Sequence, residues 1–94
     1  MSVARITTIK LNTKESADEL VQSYTSNAPN NFPEAKQLLQ IRVDDTTVMA
    51  ISLYNDKEAM ERASTARKKS MDSNKENFSS VDTKVGTIEL NHSN

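Results

Sequence analysis

The feature that most constrains the fold of this chain is the order in which strand-like and helix-like hydrophobic patterns follow one another. Four runs rich in β-branched and apolar residues are typical of strands, at residues 3–11, 36–43, 47–54 and 81–90. Two segments with helical spacing lie between them, at residues 16–26 and 56–71, and a loop is expected at residues 26–31 around Pro29. The resulting order is a split β-α-β unit used twice. It predicts an α+β domain whose four-stranded antiparallel sheet carries both helices on one face.

Alternation within the strands separates two sets of side chains, one for each face of the sheet. The set predicted to form the floor beneath the helices is Leu39, Ile41, Val43, Met49, Ile51 and Leu53. The other face mixes apolar residues such as Ile9 and Val48 with polar ones such as Arg5 and Thr7. A slip of one residue at a bulge would exchange the two sets. Because the mixed face holds too many apolar groups for a wet surface, it is predicted to pack against a second copy of the chain.

Length and composition favour one small domain that gains core by dimerisation. The 94 residues fit a single domain over residues 1–94, with an ordered core at about 3–90. Hydrophobic residues make up 35% of the sequence, and there is no tryptophan. A chain this short buries only about 60 to 70% of its unfolded surface. A homodimer is therefore the expected source of the missing core.

Charge and residue usage exclude several classes of function. Twelve basic and 13 acidic residues give a net charge of −1, so no field of one sign is expected to attract nucleic acid or a membrane. The chain has no cysteine and one histidine, so no metal site and no thiol nucleophile is expected. The N-terminal segment lacks the apolar core of a signal peptide, and no run approaches the roughly 18 residues of a membrane span. The expected location is the cytoplasm.

The central stretch carries a family resemblance. Residues 48–60 run from a strand that ends in Tyr54, through a short acidic step at Asn55 and Asp56, into a helix with an early Ala59. Together with the βαββαβ order over residues 3–90, this resembles the antibiotic-biosynthesis-monooxygenase-like branch of the dimeric α+β barrel superfamily. The resemblance implies a ferredoxin-like domain, two sheets packed into a dimeric barrel, and a pocket in each subunit between sheet and helices.

The same family includes cofactor-independent monooxygenases of phenolic or quinol-like compounds and haem-degrading enzymes. Haem-degrading members use an asparagine, a tryptophan and a histidine. This chain offers Asn12, but it has no tryptophan, and no histidine lies between Ala63 and Arg67, where the family's helix histidine is frequent. Haem degradation is therefore disfavoured, and no cofactor is expected.

Two other classes of protein share the strand and helix order. RNA-binding domains of this topology need aromatic platforms on the first and third strands, and positions such as Arg5, Thr7, Met49 and Ile51 supply none. Acylphosphatases need a glycine-rich phosphate loop, and Gly86 is the only glycine here. Both classes are excluded.

The candidate site residues follow from the predicted pocket. Asn12, Tyr54 and Asn55 are candidate catalytic or ligand-orienting groups, although the two asparagines also suit helix caps and Tyr54 a dimer contact. His92 is expected to be exposed in the C-terminal tail. The residues predicted to line a ligand pocket are Leu20, Tyr24, Phe32, Met49, Ile51, Met60 and Phe78.

Three functional hypotheses remain open from the sequence. The first is a small homodimer that binds a small, mainly apolar or aromatic molecule, with or without catalysis. The second is a cofactor-independent monooxygenase acting on a phenolic or quinol-like compound. The third is a structural or regulatory interaction module without a ligand pocket. A cavity between sheet and helices, or its absence, separates the first two from the third.

Overall fold

The structure is a four-stranded antiparallel sheet packed against helices on one side. The strands are β1 (Val3–Leu11), β2 (Gln37–Arg42), β3 (Thr47–Tyr54) and β4 (Phe78–Thr87), in the sheet order β2-β3-β1-β4. The helices are α1 (Lys14–Asn31), α2 (Lys57–Arg62) and α3 (Ser64–Asn74), and a 3-10 turn, Lys75–Asn77, continues α3. The computed structural model describes residues 1–94. This arrangement confirms the predicted βαββαβ domain, with the second predicted helix divided at Ala63 into α2 and α3. None of the helices has both the length and the apolar character needed to span a membrane.

Helix α1 is longer than the sequence pattern predicted, and the loop expected at residues 26–31 was wrong. Thr13 caps its start by accepting a hydrogen bond from the Ser16 N–H at 3.0 Å. Pro29 lies inside the helix and lacks an N–H, but only one carbonyl loses its helical partner as a result. Ala28 and Phe32 at the far end are buried in the core. This burial outweighs the local preference of proline for a loop.

The helices cover the face of the sheet that the sequence assigned to the dimer. The cross-strand pairs beneath the helices are Arg5–Ser52, Thr7–Ala50 and Ile9–Val48. The predicted floor was therefore wrong, because Met49, Ile51 and Leu53 alternate with these residues and point to the opposite side. Alternation shows which residues share a face of the sheet. When the residues of both faces are largely apolar, alternation does not show which face the helices cover.

We call the uncovered side of the sheet the outer face, defined by Ile6, Leu39, Ile41, Met49, Ile51 and Leu53. Register places Ile6 and Leu39 directly opposite Ile51, and Ile41 opposite Met49, so their side chains form one continuous surface. Leu39 and Ile41 remain 41% and 43% exposed. Val43, also assigned to the floor, lies beyond the end of β2 and is exposed. The subunit thus presents a broad apolar sheet face to its surroundings.

The core beneath the helices is split into two clusters at opposite ends of the sheet. The first cluster comprises Ala28, Phe32, Tyr54, Ala59, Met60 and Ala63. The second comprises Ile9, Leu11, Ala17 and Val48. Arg5 and Thr7 occupy the stretch of β1 between them and are buried despite being polar. A polar gap therefore interrupts the hydrophobic core.

Candidate ligand-binding site

A cavity lies between the two core clusters. It lies between the sheet and helices α1 and α3, and 16 residues line it, nine of them hydrophobic. The hydrophobic ones are Ile9, Leu20, Tyr24, Phe32, Val48, Ala50, Tyr54, Met71 and Phe78. The polar ones are Arg5, Thr7, Gln40, Ser52, Arg67, Ser70 and Asn74. The cavity has a volume of about 60 Å³, and about 620 Å³ of empty space is present when its open mouth is included.

Arg5 projects from the middle of β1 into this cavity. Its side chain is held in place because Nη2 donates hydrogen bonds to the backbone oxygen of Met60 and to Ser64 Oγ, both at 3.1 Å. The residue is only 6% exposed. Its Nε and Nη1 have no partner within the protein, yet no fully buried polar side-chain atom is unpaired. These donors are therefore not sealed from solvent, and the residue that carries them lines the cavity.

Arg67 enters the same cavity from α3. Its Nη2 donates hydrogen bonds to Thr7 Oγ1 at 3.2 Å and to Thr83 Oγ1 at 2.8 Å, two hydroxyls on neighbouring strands. Burial lowers the pKa of Arg67, and the nearby charge of Arg5 lowers it further. Both guanidinium groups thus belong to the lining of one cavity.

No acidic side chain compensates these two charges. The five ion pairs of the structure involve other residues, and neither aspartate nor glutamate lines the cavity. Buried cations are normally paired with an acid. The cavity is therefore a positively charged recess with hydrophobic walls.

Two tyrosines add neutral polar groups to the lining. Tyr54, at the end of β3, is 1% exposed, and Tyr24 reaches in from α1. Burial, and then the proximity of Tyr54, raises the pKa of the Tyr24 hydroxyl. Neither hydroxyl takes part in a side-chain hydrogen bond, and because no fully buried polar atom is unpaired, both have access to open space. Each can donate a hydrogen bond to a bound molecule.

The structure brings together four of the seven residues predicted to line a pocket: Leu20, Tyr24, Phe32 and Phe78. Met49 and Ile51 instead belong to the outer face, for the reason of strand alternation given above. Met60 is buried in the first core cluster and contributes its backbone oxygen as the acceptor for Arg5. These four residues lie between sheet and helices, whereas the strand residues predicted as the floor lie on the opposite face.

Of the candidate catalytic residues, only Tyr54 lines the cavity. Asn12 joins the end of β1 to the segment that leads into β4. Its Nδ2 donates to the backbone oxygen of Glu76 at 3.0 Å, and its Oδ1 accepts from Ser79 Oγ at 2.6 Å. Asn55 is exposed in a separate surface depression beyond the end of β3. His92 is exposed in the C-terminal tail. No group of three or more acidic, histidine or cysteine side chains is arranged to hold a metal ion.

Sequence reasoning missed the two arginines, although both interrupt an apolar pattern. Arg67 continues the helical spacing of the buried Ala59 and Ala63, where a third small residue would be expected. Arg5 precedes Ile9 and Leu11 on the same side of β1, and both of those residues are buried. A charged residue in line with a buried stripe is the signal that would have indicated them.

Comparison with known proteins identifies the fold. No family model matches the sequence, and no curated protein matches it. Among solved structures, a dimeric ferredoxin-like protein from an uncultured marine organism has a TM-score of 0.80 at 10% identity, covering 97% of this chain and 98% of its own. A monooxygenase from the gene ActVA-Orf6 of Streptomyces coelicolor, in complex with the ligand Nanaomycin D, has a TM-score of 0.77 at 12% identity, covering 99% and 92%. SnoaB, a cofactor-independent oxygenase from Streptomyces nogalater, has a TM-score of 0.70 at 15% identity, covering 96% and 95%.

These likenesses extend over nearly the whole chain, while identities of 10 to 15% leave the ligand and the chemistry open. The sheet order, the helices on one face and the structural neighbours together establish the architecture. The chain has a ferredoxin-like α+β fold, similar to that of the monooxygenase from Streptomyces coelicolor and of the dimeric ferredoxin-like protein.

Proposed function

We propose that this protein binds a small, mainly apolar molecule in the cavity between its sheet and helices α1 and α3. The observation that carries the proposal is the interruption of the core, since hydrophobic side chains from both clusters line an open space instead of packing together. Protein interiors are close-packed, so a lined gap of this kind costs stability. A bound molecule would restore the missing contacts. The same cavity argues against an interaction module without a ligand pocket.

The proposal includes a homodimer formed through the outer face. That face presents three strands of apolar side chains with no element of the subunit packed on it. Exposed apolar patches of this extent mark interaction surfaces. A two-fold pairing of identical sheet faces would bury the patch, and one structural neighbour is described as dimeric. Each cavity lies on the helix side of its own sheet, so dimerisation leaves it open.

Binding is tested by titrating the protein with single-ring aromatic compounds and following backbone amide shifts by NMR. The expected result is shifts confined to the cavity residues. Ala50 lines the cavity, so Ala50→Leu should fill part of it and weaken binding at least about tenfold, because a leucine side chain occupies the space that the ligand needs. Thr65→Leu, on the exposed side of α3, is the matched control. Shifts that spread over the outer face and are unaffected by Ala50→Leu would refute the proposed site.

A second candidate function is a cofactor-independent monooxygenase. The two unpaired guanidinium groups favour it, because positive charge lowers the pKa of a bound phenol, and an ionised phenol gives electrons to oxygen more readily. In such a reaction one atom of O₂ becomes a carbonyl oxygen at a CH₂ group beside the phenolic ring. The other atom leaves as water with the two hydrogens, so no external reductant is consumed. Tyr54 would orient the substrate through its free hydroxyl.

Oxygen uptake with a panel of quinols and related phenols, among them phenols that carry a CH₂ group beside the ring, tests the enzyme hypothesis. Turnover that falls in Tyr54→Phe and persists in Asn12→Ala would support it, since Asn12 lies outside the cavity. No oxygen uptake with any member of the panel would count against catalysis and leave the binding proposal intact.

A further inference from the structure

We propose that the molecule bound in the cavity carries an anionic group, a carboxylate or an ionised phenol, held by the guanidinium groups of Arg5 and Arg67. This inference rests on the proposed function, because it names the chemical class of the ligand for the same site. The hydrophobic walls alone would accept a neutral molecule. This inference goes further than the proposed function because it requires the molecule to carry a negative charge.

The arginines are positioned as an open clamp. Each uses Nη2 to anchor itself, Arg5 on Met60 and Ser64 and Arg67 on the two threonine hydroxyls. Each leaves Nε and Nη1 without a protein partner. Nε and Nη1 do not share an edge of the guanidinium, because Nη1 lies on the side of Cδ, so each of these donors is left to make a separate charge-assisted hydrogen bond to an anion. The free donors of both residues border the same cavity.

The electrostatics of the unoccupied cavity are unfavourable without an anion. Two cations lie near each other in a recess whose lining contains no acid, and burial together with the charge of Arg5 already lowers the pKa of Arg67. A folded domain retains such an arrangement when something else supplies the opposite charge. An anion at the free donors would remove the repulsion and satisfy the open hydrogen bonds.

The rest of the lining indicates that the anion is organic. An inorganic anion would occupy the guanidinium end and leave Ile9, Val48 and Phe78 without contacts. An aromatic ring would fill the hydrophobic part, with Tyr24 and Tyr54 at hand as neutral donors. The cavity is small, about 60 Å³, and open on one side, so a bound ring would extend into its mouth and a large ligand would not be enclosed. The inferred ligand is therefore a single-ring or similarly compact organic monoanion.

The test compares probes that differ in charge and share a shape. Calorimetric titrations at low salt use benzoate, its neutral isostere benzamide, and 4-nitrophenol above its pKa, which separates a carboxylate from a phenolate. We expect one of the two anions to bind about 10 to 100-fold more tightly than benzamide, the range expected for hydrogen bonds to a charged group. Inorganic phosphate at an equal concentration should not displace it.

Variants then identify the side chains that bind the charged group of the probe. Arg67→Gln should reduce the preference for the anion to less than about threefold, since one guanidinium is lost from the clamp. Lys69→Gln removes the same charge two residues away on the exposed side of α3 and should leave the preference unchanged. Arg67→Lys keeps the charge but has a single flexible ammonium in place of several fixed donors, and its preference should fall between wild type and glutamine. Circular dichroism confirms that each variant is folded.

The outcomes distinguish this inference from the proposed function beneath it. Equal binding of benzoate, 4-nitrophenolate and benzamide would overturn the anionic ligand while leaving an apolar binding site. Displacement by phosphate would overturn the organic character of the anion. Absence of binding by all three probes would overturn both proposals. If Arg67→Gln does not fold, the comparison of charged and neutral probes on the wild-type protein decides the matter alone.

Discussion

Substitutions of Tyr54 test how one side chain can belong both to the hydrophobic core and to the lining of the cavity. Its ring belongs to the first core cluster and its residue is 1% exposed, yet its hydroxyl has no partner within the protein. The ring should therefore matter for folding and the hydroxyl for the ligand. Two substitutions separate these contributions: Tyr54→Phe removes only the oxygen, and Tyr54→Ala removes the ring as well.

The magnitudes follow from burial and hydrogen bonding. Removing a large buried ring costs about 3 to 5 kcal/mol, because packing contacts are lost and a cavity remains. Removing a hydroxyl that has no protein partner should cost less than about 1 kcal/mol, since no acceptor is left unsatisfied. In a domain of this size, the first loss lowers the melting temperature by roughly 12 °C or more.

Urea unfolding monitored by circular dichroism measures both effects. All proteins should be compared at one concentration, because the stability of a dimer depends on concentration. Tyr24→Phe is the matched control, as this tyrosine is also in the cavity wall but less buried. A loss of about 2 kcal/mol or more in Tyr54→Phe would show that the hydroxyl has a structural partner, and it would refute the assignment of that group to the cavity.

Further predictions concern the outer face, a helix cap and the response to alkali. If the proposed dimer forms through the outer face, Ile51→Asp should sediment as a monomer at micromolar concentration where wild type sediments as a dimer, while Thr65→Asp on the exposed side of α3 should leave sedimentation unchanged. Asp56→Ala removes the acceptor 2.8 Å from the Ala59 N–H at the start of α2 and should cost about 1 kcal/mol in urea unfolding, with Asp56→Asn costing less. Because burial raises the pKa of Tyr24 above its ordinary value of 10.0, its contribution to stability is complete below about pH 10 and is lost as the pH rises through the higher pKa of the folded state. Unfolding of Tyr24→Phe between about pH 9 and 12 should therefore show a smaller alkaline decline than wild type, and an equal decline would contradict this.

Much of the fold was predictable because local chemistry and overall topology agree in this chain. The third strand was placed at Thr47–Tyr54, as observed, because an alternating run follows a polar turn and precedes the capping residue Asp56. The end of α1 was not predictable, since the burial of Ala28 and Phe32 depends on contacts that local sequence does not contain. Proline at position 29 indicated a loop, and tertiary packing outweighed it.

The candidate site was only partly predictable, because its floor depends on which side of the sheet the helices cover. Leu20 and Tyr24 lie on α1, Phe32 directly follows it and Phe78 begins β4, so these residues were assigned to the pocket without knowledge of the strand faces. Met49 and Ile51 were assigned to the pocket because their face of β3 was predicted to lie beneath the helices. In the structure this face points away from them. Both faces of β3 are largely apolar, so hydrophobicity alone did not decide between them.

The buried polar side chains resolve this ambiguity, and they also connect stability to function. A dimer interface between sheet faces tolerates few charges, and the outer face of β1, β2 and β3 is almost uniformly apolar around Ile51. The other face carries Arg5, Thr7 and Ser52 in a line between the two core clusters, where aliphatic residues would pack better. Polar groups that oppose the packing of a core are expected where binding or catalysis requires them. We therefore assign the proposed ligand to the face with the weaker hydrophobic pattern and the proposed partner subunit to the more apolar face.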